Sequence, residues 1–358
     1  MARLRISIVG AGRLGTALAA LLAGQDEFTV DVIDPSEDAL DRFDQRQLPI
    51  RAHLLRHRED LPAMLAKADV TVAAVPEAAL DQVAAAAGAA GTHFLDFSPA
   101  KAHAQSRLRE LSRERAVFSG CGVSPGIIDN VVCGLVHEFS PITDLTIRVG
   151  SIPRFPTNRL GYGQIWNVDG LIDEYTRPCA AIRDGRQVMI EPLEAYERIV
   201  MDGVGYECFT TAGGLEDLEA LTAAAPRNVV FKTLRYPGHL EYMRFLLDDL
   251  GLRGRRDMLR SLLLNGLPVI QDDLLLLVVT ARGERNSQMA ERTISHRFVP
   301  NPKIAPFNAL TTVAAGYAAT LLLLLARGEI ADAGLLPHQR IETNRLFSER
   351  FLCSLKCD

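Results

Sequence analysis

No cysteine pair in this chain has the spacing of a metal knuckle or a redox motif. Its six cysteines, Cys121, Cys133, Cys179, Cys208, Cys353 and Cys357, form no C-x-x-C and stand beside no histidine cluster. A zinc site is therefore not expected. Long basic runs are also missing, and the formal net charge is −5. The densest basic stretch, Arg253 to Arg260, is interrupted by Asp257 and Leu259 and reads as the solvated start of a helix. This balance argues against nucleic acid as the main partner. The chain opens directly into a strand with neither a charged n-region nor an apolar h-region, so no signal peptide is expected. A cytoplasmic place with free thiols follows; a disulfide between Cys353 and Cys357, at helical spacing, is the alternative. No internal repeat and no low-complexity linker is present. One long charge-free stretch, 309–326, includes the five leucines Leu321 to Leu325 and is short for a membrane span. It reads as a buried helix between domains, and no membrane partner is expected.

What is present is a glycine fingerprint in its confirming context. Leu4 to Val9 alternates and branches like a strand, and Gly10-Ala11-Gly12-Arg13-Leu14-Gly15 follows at once. Thr16 to Ala23 reads as an Ala/Leu helix, and a second strand from Phe28 ends at Asp34. Strand, G-x-G-x-x-G, helix, strand and acid make the dinucleotide-binding βαβ unit. Gly10 permits the turn out of the strand, Gly12 lets backbone approach the pyrophosphate, and Gly15 lets helix pack on sheet. The helix N-terminus presents N–H groups and partial positive charge to phosphate. Asp34 accepts the adenine-ribose hydroxyls and repels a 2′-phosphate, which favours NAD over NADP. Arg13 complicates that preference, because an arginine in the glycine loop can touch phosphate.

A length of 358 residues predicts two domains, and 48% hydrophobic content supports a sizeable core. The βα rhythm continues through strands near 68–75, 92–96 and 116–121 and helices near 80–90 and 102–114. Such alternation predicts a doubly wound parallel sheet of Rossmann type. Cofactor and substrate then sit at the carboxyl ends of the strands, where Val75, Pro76, Asp96 and Cys121 fall. Beyond Gly122 the pattern changes. A helix over 127–139 is followed by a strand from Leu145, a turn at Arg183-Asp184-Gly185-Arg186, and an extended run at 208–211. A strand over 228–233 and a helix over 238–249 come next. Two strands, 273–282 and 292–299, flank a turn at Gly283 to Asn286. The expectation is an α/β chain: a dinucleotide-binding domain over 1–122, an α+β substrate domain with a mixed or antiparallel sheet over 123–305, and a C-terminal helical segment over 306–358.

Three stretches carry a family resemblance. They are Gly122-Val123-Ser124-Pro125-Gly126-Ile127; Leu160-Gly161-Tyr162 with Trp166, running on to Asp184-Gly185; and Phe231-Lys232-Thr233-Leu234-Arg235-Tyr236-Pro237-Gly238-His239. With the glycine fingerprint they resemble the saccharopine dehydrogenase-like reductases over nearly the whole chain, and among these the lysine 6-dehydrogenases most closely. The resemblance implies a Rossmann domain, a substrate domain and a C-terminal helix returning to the first domain. It also implies oxidation of an amine-bearing carbon with NAD. In the lysine branch the ε-carbon gives up hydride, water adds to the imine, ammonia leaves, and the semialdehyde cyclises with its own α-amine to piperideine-6-carboxylate. Family members commonly self-associate, so a homo-oligomer, a dimer first, is expected.

The residues are asked to suit an amino-acid substrate. Arg235 follows a strand and precedes a Pro-Gly helix start, where its fork can clamp a carboxylate beside helix N–H groups. His239, one turn on, is a candidate general base, because histidine titrates near working pH. Lys232 points away from Arg235 if the strand runs through both, so a shared site requires the strand to end between them. Tyr236 can donate to a carboxylate or hold a water, or all four residues brace a strand–helix corner. Asp96 binds a substrate amine or caps the helix after Pro99. Tyr162 and Trp166 line the pocket or fill the core. Ser124 touches nicotinamide or substrate carboxylate, or merely serves the Pro125-Gly126 turn. Glu77 and Asp129 read as helix-start acids. Two competitors remain open. One is a reductase joining an amine to a keto acid or aldehyde, in the manner of saccharopine and carboxynorspermidine enzymes, with Arg148, Arg154 and Arg159 supplying cations. The other is an NAD-binding protein without catalysis.

Overall fold

A computed structural model describes residues 3–44, 48–97, 102–214, 221, 225–301, 307–338 and 341–355. It divides into two compact units, 1–130 with 311–355 and 131–310 with 356–358. The chain passes from the first to the second inside one helix and returns inside another, against expected breaks at 122/123 and 305/306. Cys357, Ser98 and Pro99 lie outside the described residues.

In the first unit the strands are β1 (Leu4–Val9), β2 (Phe28–Asp34), β3 (Ile50–Leu54), β4 (Val70–Ala73), β5 (His93–Asp96) and β6 (Ala116–Phe118). All pair in parallel, in the order β3-β2-β1-β4-β5-β6, and Gly334–Leu335 adds a short seventh strand beside β6. Helices α1 (Arg13–Leu22), α2 (Glu37–Asp44), α3 (Leu61–Leu65), α4 (Glu77–Ala90) and α5 (Ala102–Leu111) connect them. Ile6, Ile8, Val30, Val32, Val70, Val72, Phe94 and Leu95 are buried, as residues covered on both sheet faces must be. The order reverses between β1 and β4, so the crevice for a ligand opens beyond their carboxyl ends, where the glycine loop and Val75-Pro76 lie. This is the doubly wound sheet that the βα rhythm predicts.

Helix α6 (Ile127–Val136) leads into the second unit. Its strands are β7 (Ile142–Pro153), β8 (Cys179–Arg183), β9 (Arg186–Ile190), β10 (Glu197–Met201), β11 (Val204–Thr210), β12 (Asn228–Arg235), β13 (Asp273–Arg285) and β14 (Gln288–Phe298). They form one mixed sheet: β12 and β7 are parallel and the other pairings are antiparallel. Among the described residues this unit also carries helices α7 (Val168–Thr176), α8 (His239–Arg244) and α9 (Arg256–Gly266). They bury Leu171, Ile172, Leu240, Met243, Leu259 and Leu263 in one core with Phe209 of β11.

The β13–β14 turn falls at Asn286-Ser287, both at positive φ, and not at Gly283 to Asn286. Gly283 stays in the strand, where an added Cβ would meet the Pro141 carbonyl at 2.4 Å. The helix expected over 238–249 is α8 followed by a π-helical turn, Phe245–Asp249. The charge-free stretch forms α10 (Ala309–Ala326), long and apolar enough to cross a membrane but 89% buried, as a core helix is. From Thr311 onward it belongs to the first unit. Cys121, Cys133, Cys179, Cys208 and Cys353 are free thiols. Among the described residues no group of three metal-ligating side chains comes together.

Candidate functional site

The nucleotide-binding loop of the first unit is built by the end of β1. Gly10 has φ +108°, and a Cβ there would sit 2.3 Å from the Ala74 carbonyl oxygen. A Cβ on Gly15 would come within 1.9 Å of the Gly10 carbonyl oxygen, so only glycine lets α1 pack this close. Gly12 is different: a Cβ there would meet nothing within 4 Å, because the loop faces open space on that side. The first turn of α1 offers its N–H groups toward that space by construction.

Asp34 ends β2 and faces the same loop. One carboxylate oxygen accepts the Ala11 N–H at 2.6 Å and the other accepts the Ser36 N–H at 2.7 Å. Both oxygens are held by backbone, and lone pairs remain for further donors. Arg13 is exposed and Leu14 half-buried beside the loop. Val75, whose side chain lies 3.3 Å from the ideal Cβ of Gly10, and exposed Pro76 follow β4 at the crevice. An open cradle over Gly12, helix N–H groups and a fixed acid fit a nicotinamide dinucleotide.

Asp96 ends β5 and is wholly buried. It accepts hydrogen bonds from the Ser119 hydroxyl at 3.0 and 3.1 Å and from the Gly120 N–H at 2.7 Å, tying the end of β6 to β5. Ser124 is half-buried in the turn before α6. In that turn Asp129 accepts the Gly126 N–H, as a helix-start acid does.

A second group of candidate residues gathers on the helix-covered face of the second unit's own sheet. Arg235, the last residue of β12, is 3% exposed. Its Nε–H donates to the Tyr175 hydroxyl at 3.0 Å, one terminal nitrogen to the Leu234 carbonyl at 3.0 Å, and the other to Glu174 at 3.3 Å. The guanidinium stacks 4.7 Å over the Tyr162 ring. His239 is 1% exposed and has both ring nitrogens engaged. Nδ1 lies 2.8 Å from the Leu160 carbonyl and Nε2 lies 3.0 Å from the Tyr175 hydroxyl. A carbonyl only accepts, so Nδ1 carries the proton, and in the neutral ring Nε2 then accepts from Tyr175. The polar chain runs from Arg235 through Tyr175 and His239 to Leu160.

Burial, reinforced by the Arg235 charge, pushes His239 down to about 3. The expected base role rested on titration near working pH. The structure instead makes His239 a neutral, doubly bonded core group, because Tyr162, Tyr175 and Phe209 enclose it. The sign of its effect on stability follows. An unfolded histidine takes a proton below about 6.5, whereas the folded one resists until about 3. The neutral ring therefore stabilises the fold fully above about pH 6.5, and that contribution is lost as the pH falls toward 3. Glu174, raised to about 7, runs the other way: its cost grows as the pH rises from 4.5 to 7. A His239→Gln variant isolates the histidine. Relative to it, the wild type is expected to lose urea resistance between about pH 6.5 and about pH 4. Parallel curves would place a proton on His239 in the folded state.

The helix N–H groups expected to help Arg235 are already engaged. Glu207, 3% exposed, accepts the Gly238 N–H at 3.1 Å and the Leu240 N–H at 2.7 Å. Lys232 lies on the other face. β12 continues through Arg235, so the condition for a shared site is not met. Lys232 pairs with Glu197 at 3.3 Å, and Arg148 binds the same carboxylate at 2.5 Å. Tyr236 donates to the Pro153 carbonyl and packs on Tyr206. Tyr162 is buried against His239 and accepts the Trp166 indole N–H, while Trp166 is exposed.

Glu174 and Tyr175 escape a reading that leaves 163–182 without a helix. The signal was there: Asn167 caps α7, and Val168, Leu171, Ile172 and Tyr175 recur at i, i+3, i+4 and i+7. Glu174 keeps 24% of its side-chain surface open, while the cation holding it keeps 3%.

Comparison with known proteins follows the two halves. Residues 6–117 match the saccharopine dehydrogenase NADP binding domain, and residues 122–356 match the saccharopine dehydrogenase C-terminal domain. The fold is similar to that of apo saccharopine dehydrogenase (L-Glu forming) from Saccharomyces cerevisiae, with a TM-score of 0.79 at 14% identity over 96% of each chain. A myo-inositol dehydrogenase of Corynebacterium glutamicum is more distant, with a TM-score of 0.48 at 13% identity over 96% of this chain and 94% of that one. The two family matches cover most of the chain: it belongs to the saccharopine dehydrogenase family and is an oxidoreductase that works with a nicotinamide cofactor.

Proposed function

We propose that this oxidoreductase carries out the NAD-dependent oxidative deamination of the ε-amino group of L-lysine. The product is the 6-semialdehyde, which cyclises with its own α-amine. The observation that carries the NAD part is Asp34, whose carboxylate Ala11 and Ser36 fix beside the glycine loop. A ribose with two free hydroxyls can donate to it, and a 2′-phosphate meets its charge at close range. When bound, the cofactor supplies the hydride acceptor. Gly12 leaves room for its phosphates, α1 presents N–H groups to them, and Val75 and Pro76 border the crevice beyond β4. Asp96 acts as a brace between β5 and β6.

The amine-donor part rests on family membership and on the resemblance of the 122–127, 160–166 and 231–239 stretches. A reductase coupling an amine to a keto acid is the other reading, and it needs additional cations for a substrate with several carboxylates. Of its three candidate cations, Arg148 is paired with Glu197 and Arg154 with Asp272, which leaves exposed Arg159 and supports a substrate with fewer carboxylates. Reduced nicotinamide should accumulate when the protein is given L-lysine and NAD at alkaline pH, with little turnover on NADP. In an Asp34→Ser variant, the preference for NAD over NADP should shrink by roughly ten- to a hundredfold, the range of a lost charge-assisted contact. An unchanged preference would remove the ribose role of Asp34. No turnover with lysine, alongside NADH consumption with paired amines and keto acids, would favour the reductase.

A further inference from the structure

Among the described residues, Glu174, Glu207 and Asp273 are buried or half-buried carboxylates near the Arg235 network, and two of them have all their work within the fold. Glu207 caps α8, and Asp273 accepts the Ala309 and Leu310 N–H groups and the Ser151 hydroxyl. Glu174 is different. Its sole side-chain bond among the described residues is the 3.3 Å contact of one oxygen with Arg235, long for a charge-assisted pair. The other oxygen makes none, although an ionised carboxylate offers about four acceptor sites.

The surroundings are fixed on one side and open on the other. Arg235 lies beneath Glu174, and the guanidinium is itself held by Tyr175, Leu234 and the Tyr162 ring. His239 stands behind Tyr175 as a neutral ring. The backbone carbonyl of Glu174 accepts the Ala212 N–H at 3.0 Å, which brings in the end of the β11 segment. There Thr211, 2% exposed, has a hydroxyl with no hydrogen-bond partner among the described residues. A half-open, under-bonded carboxylate suits a donor that the fold does not supply, and the backbone bond to Ala212 places the orphan hydroxyl one residue along the chain from Glu174's partner.

We propose that Glu174 is the carboxylate that receives the cationic amine of the substrate, with Arg235 as the positioning residue that holds it. This deepens the function proposed above. It replaces Arg235 as the group that touches substrate: the arginine is covered by its own partners, and the glutamate is the member of the pair that faces outward. Among the described residues, the groups facing the Glu174 carboxylate are the Arg235 cation from β12, Tyr175 of its own helix and Tyr162, with neutral His239 beyond them. An added ammonium finds one acceptor oxygen unused and one neighbouring cation already neutralised by the other.

The pH dependence has a definite sign. Burial holds the Glu174 carboxyl up near 7, against the opposing Arg235 charge. A cation that binds the ionised form should therefore bind more tightly as the pH rises toward about 7, and level off above it. Displacement of Glu174 by a substrate carboxylate predicts the opposite slope.

The test measures binding of cadaverine, a diamine without a carboxylate, and of L-lysine to the full chain with NAD present, by calorimetry from about pH 5 to about pH 8. In the wild type, affinity for cadaverine should rise with pH and then flatten. Glu174→Gln should weaken binding roughly tenfold and abolish the slope. Glu174→Asp keeps the charge at shorter reach, so it should bind more weakly yet retain the slope, which guards against a misfolded amide variant. Asp169→Asn, on the same helix but paired with Arg260, should behave as wild type. Wild-type binding that is absent, unaffected by Glu174→Gln, or weaker as pH rises toward 7 would overturn the assignment. Glu174-dependent cadaverine binding without lysine turnover would spare it and remove the lysine dehydrogenase reading instead.

Discussion

A Gly12→Ala protein should melt where the wild type melts and bind NAD between about five- and a hundredfold more weakly, the span of a one-methyl steric conflict. The reason is geometric. Gly12 has φ −67°, which any residue adopts, and a methyl added there touches nothing in the protein. Whatever the methyl disturbs must come from outside, at the mouth of α1. Gly15→Ala should do the reverse. Its methyl would sit 1.9 Å from the Gly10 carbonyl oxygen, so the first unit must open the β1–α1 packing before any ligand arrives. Such overpacking costs about 1–3 kcal/mol. Calorimetric melting and NAD titration of the two variants separate the effects. Loss of stability in Gly12→Ala, or an unaltered Gly15→Ala, would contradict this description of the loop.

Replacing Arg235 is expected to have the second large effect, chiefly on stability. As a clamp open to substrate, Arg235 would change KM and little else. As found, it is a buried cation with a carboxylate, a phenol, a carbonyl and a ring around it. Removing one member of such a pair costs about 3–5 kcal/mol, mostly because the partner charge is left uncompensated. Glu174, already raised to about 7 beside Arg235, can take a proton once the arginine is gone, and its open side admits water, which puts the expectation at about 3 kcal/mol. Arg235→Lys keeps the charge but not the fork, so it should recover only part of the loss. The double variant Arg235→Met with Glu174→Gln should be more stable than the single Arg235→Met, since no buried charge is then unpaired. Urea unfolding of the four proteins completes the cycle. Strictly additive losses would mean the two side chains are not coupled.

Legibility differed between the two units for a physical reason. In the first unit the elements read from sequence are defined by their chain neighbours, whereas the short strand Gly334–Leu335 joins β6 from far along the chain and Ile50–Leu54 escaped the reading. Apolar runs such as 70–73 are strands because both faces are covered, and the glycine loop is local to six residues. The face rule was legible too: alternation along β12 separates Lys232 from Arg235, and only the strand's end was open from sequence. The roles in the second unit depend on partners far along the chain. His239 looks like a base until Leu160 and Tyr175, 79 and 64 residues away, engage both of its nitrogens. The N–H groups of α8 look available until Glu207, 31 and 33 residues away, accepts them. Glu174 was hidden because α7 carries Gly170 in its interior, where Trp166 packs so close that a Cβ would meet its ring at 2.5 Å. A helical period broken by glycine reads weakly.

The most direct measurement is the fate of deuterium from L-lysine labelled at carbon 6, followed by mass spectrometry of the reduced nicotinamide after turnover with NAD. The account predicts label in the reduced cofactor from lysine deuterated at carbon 6 and none from lysine deuterated at carbon 2. Label from carbon 2, or from neither carbon, would contradict oxidation at the ε-position.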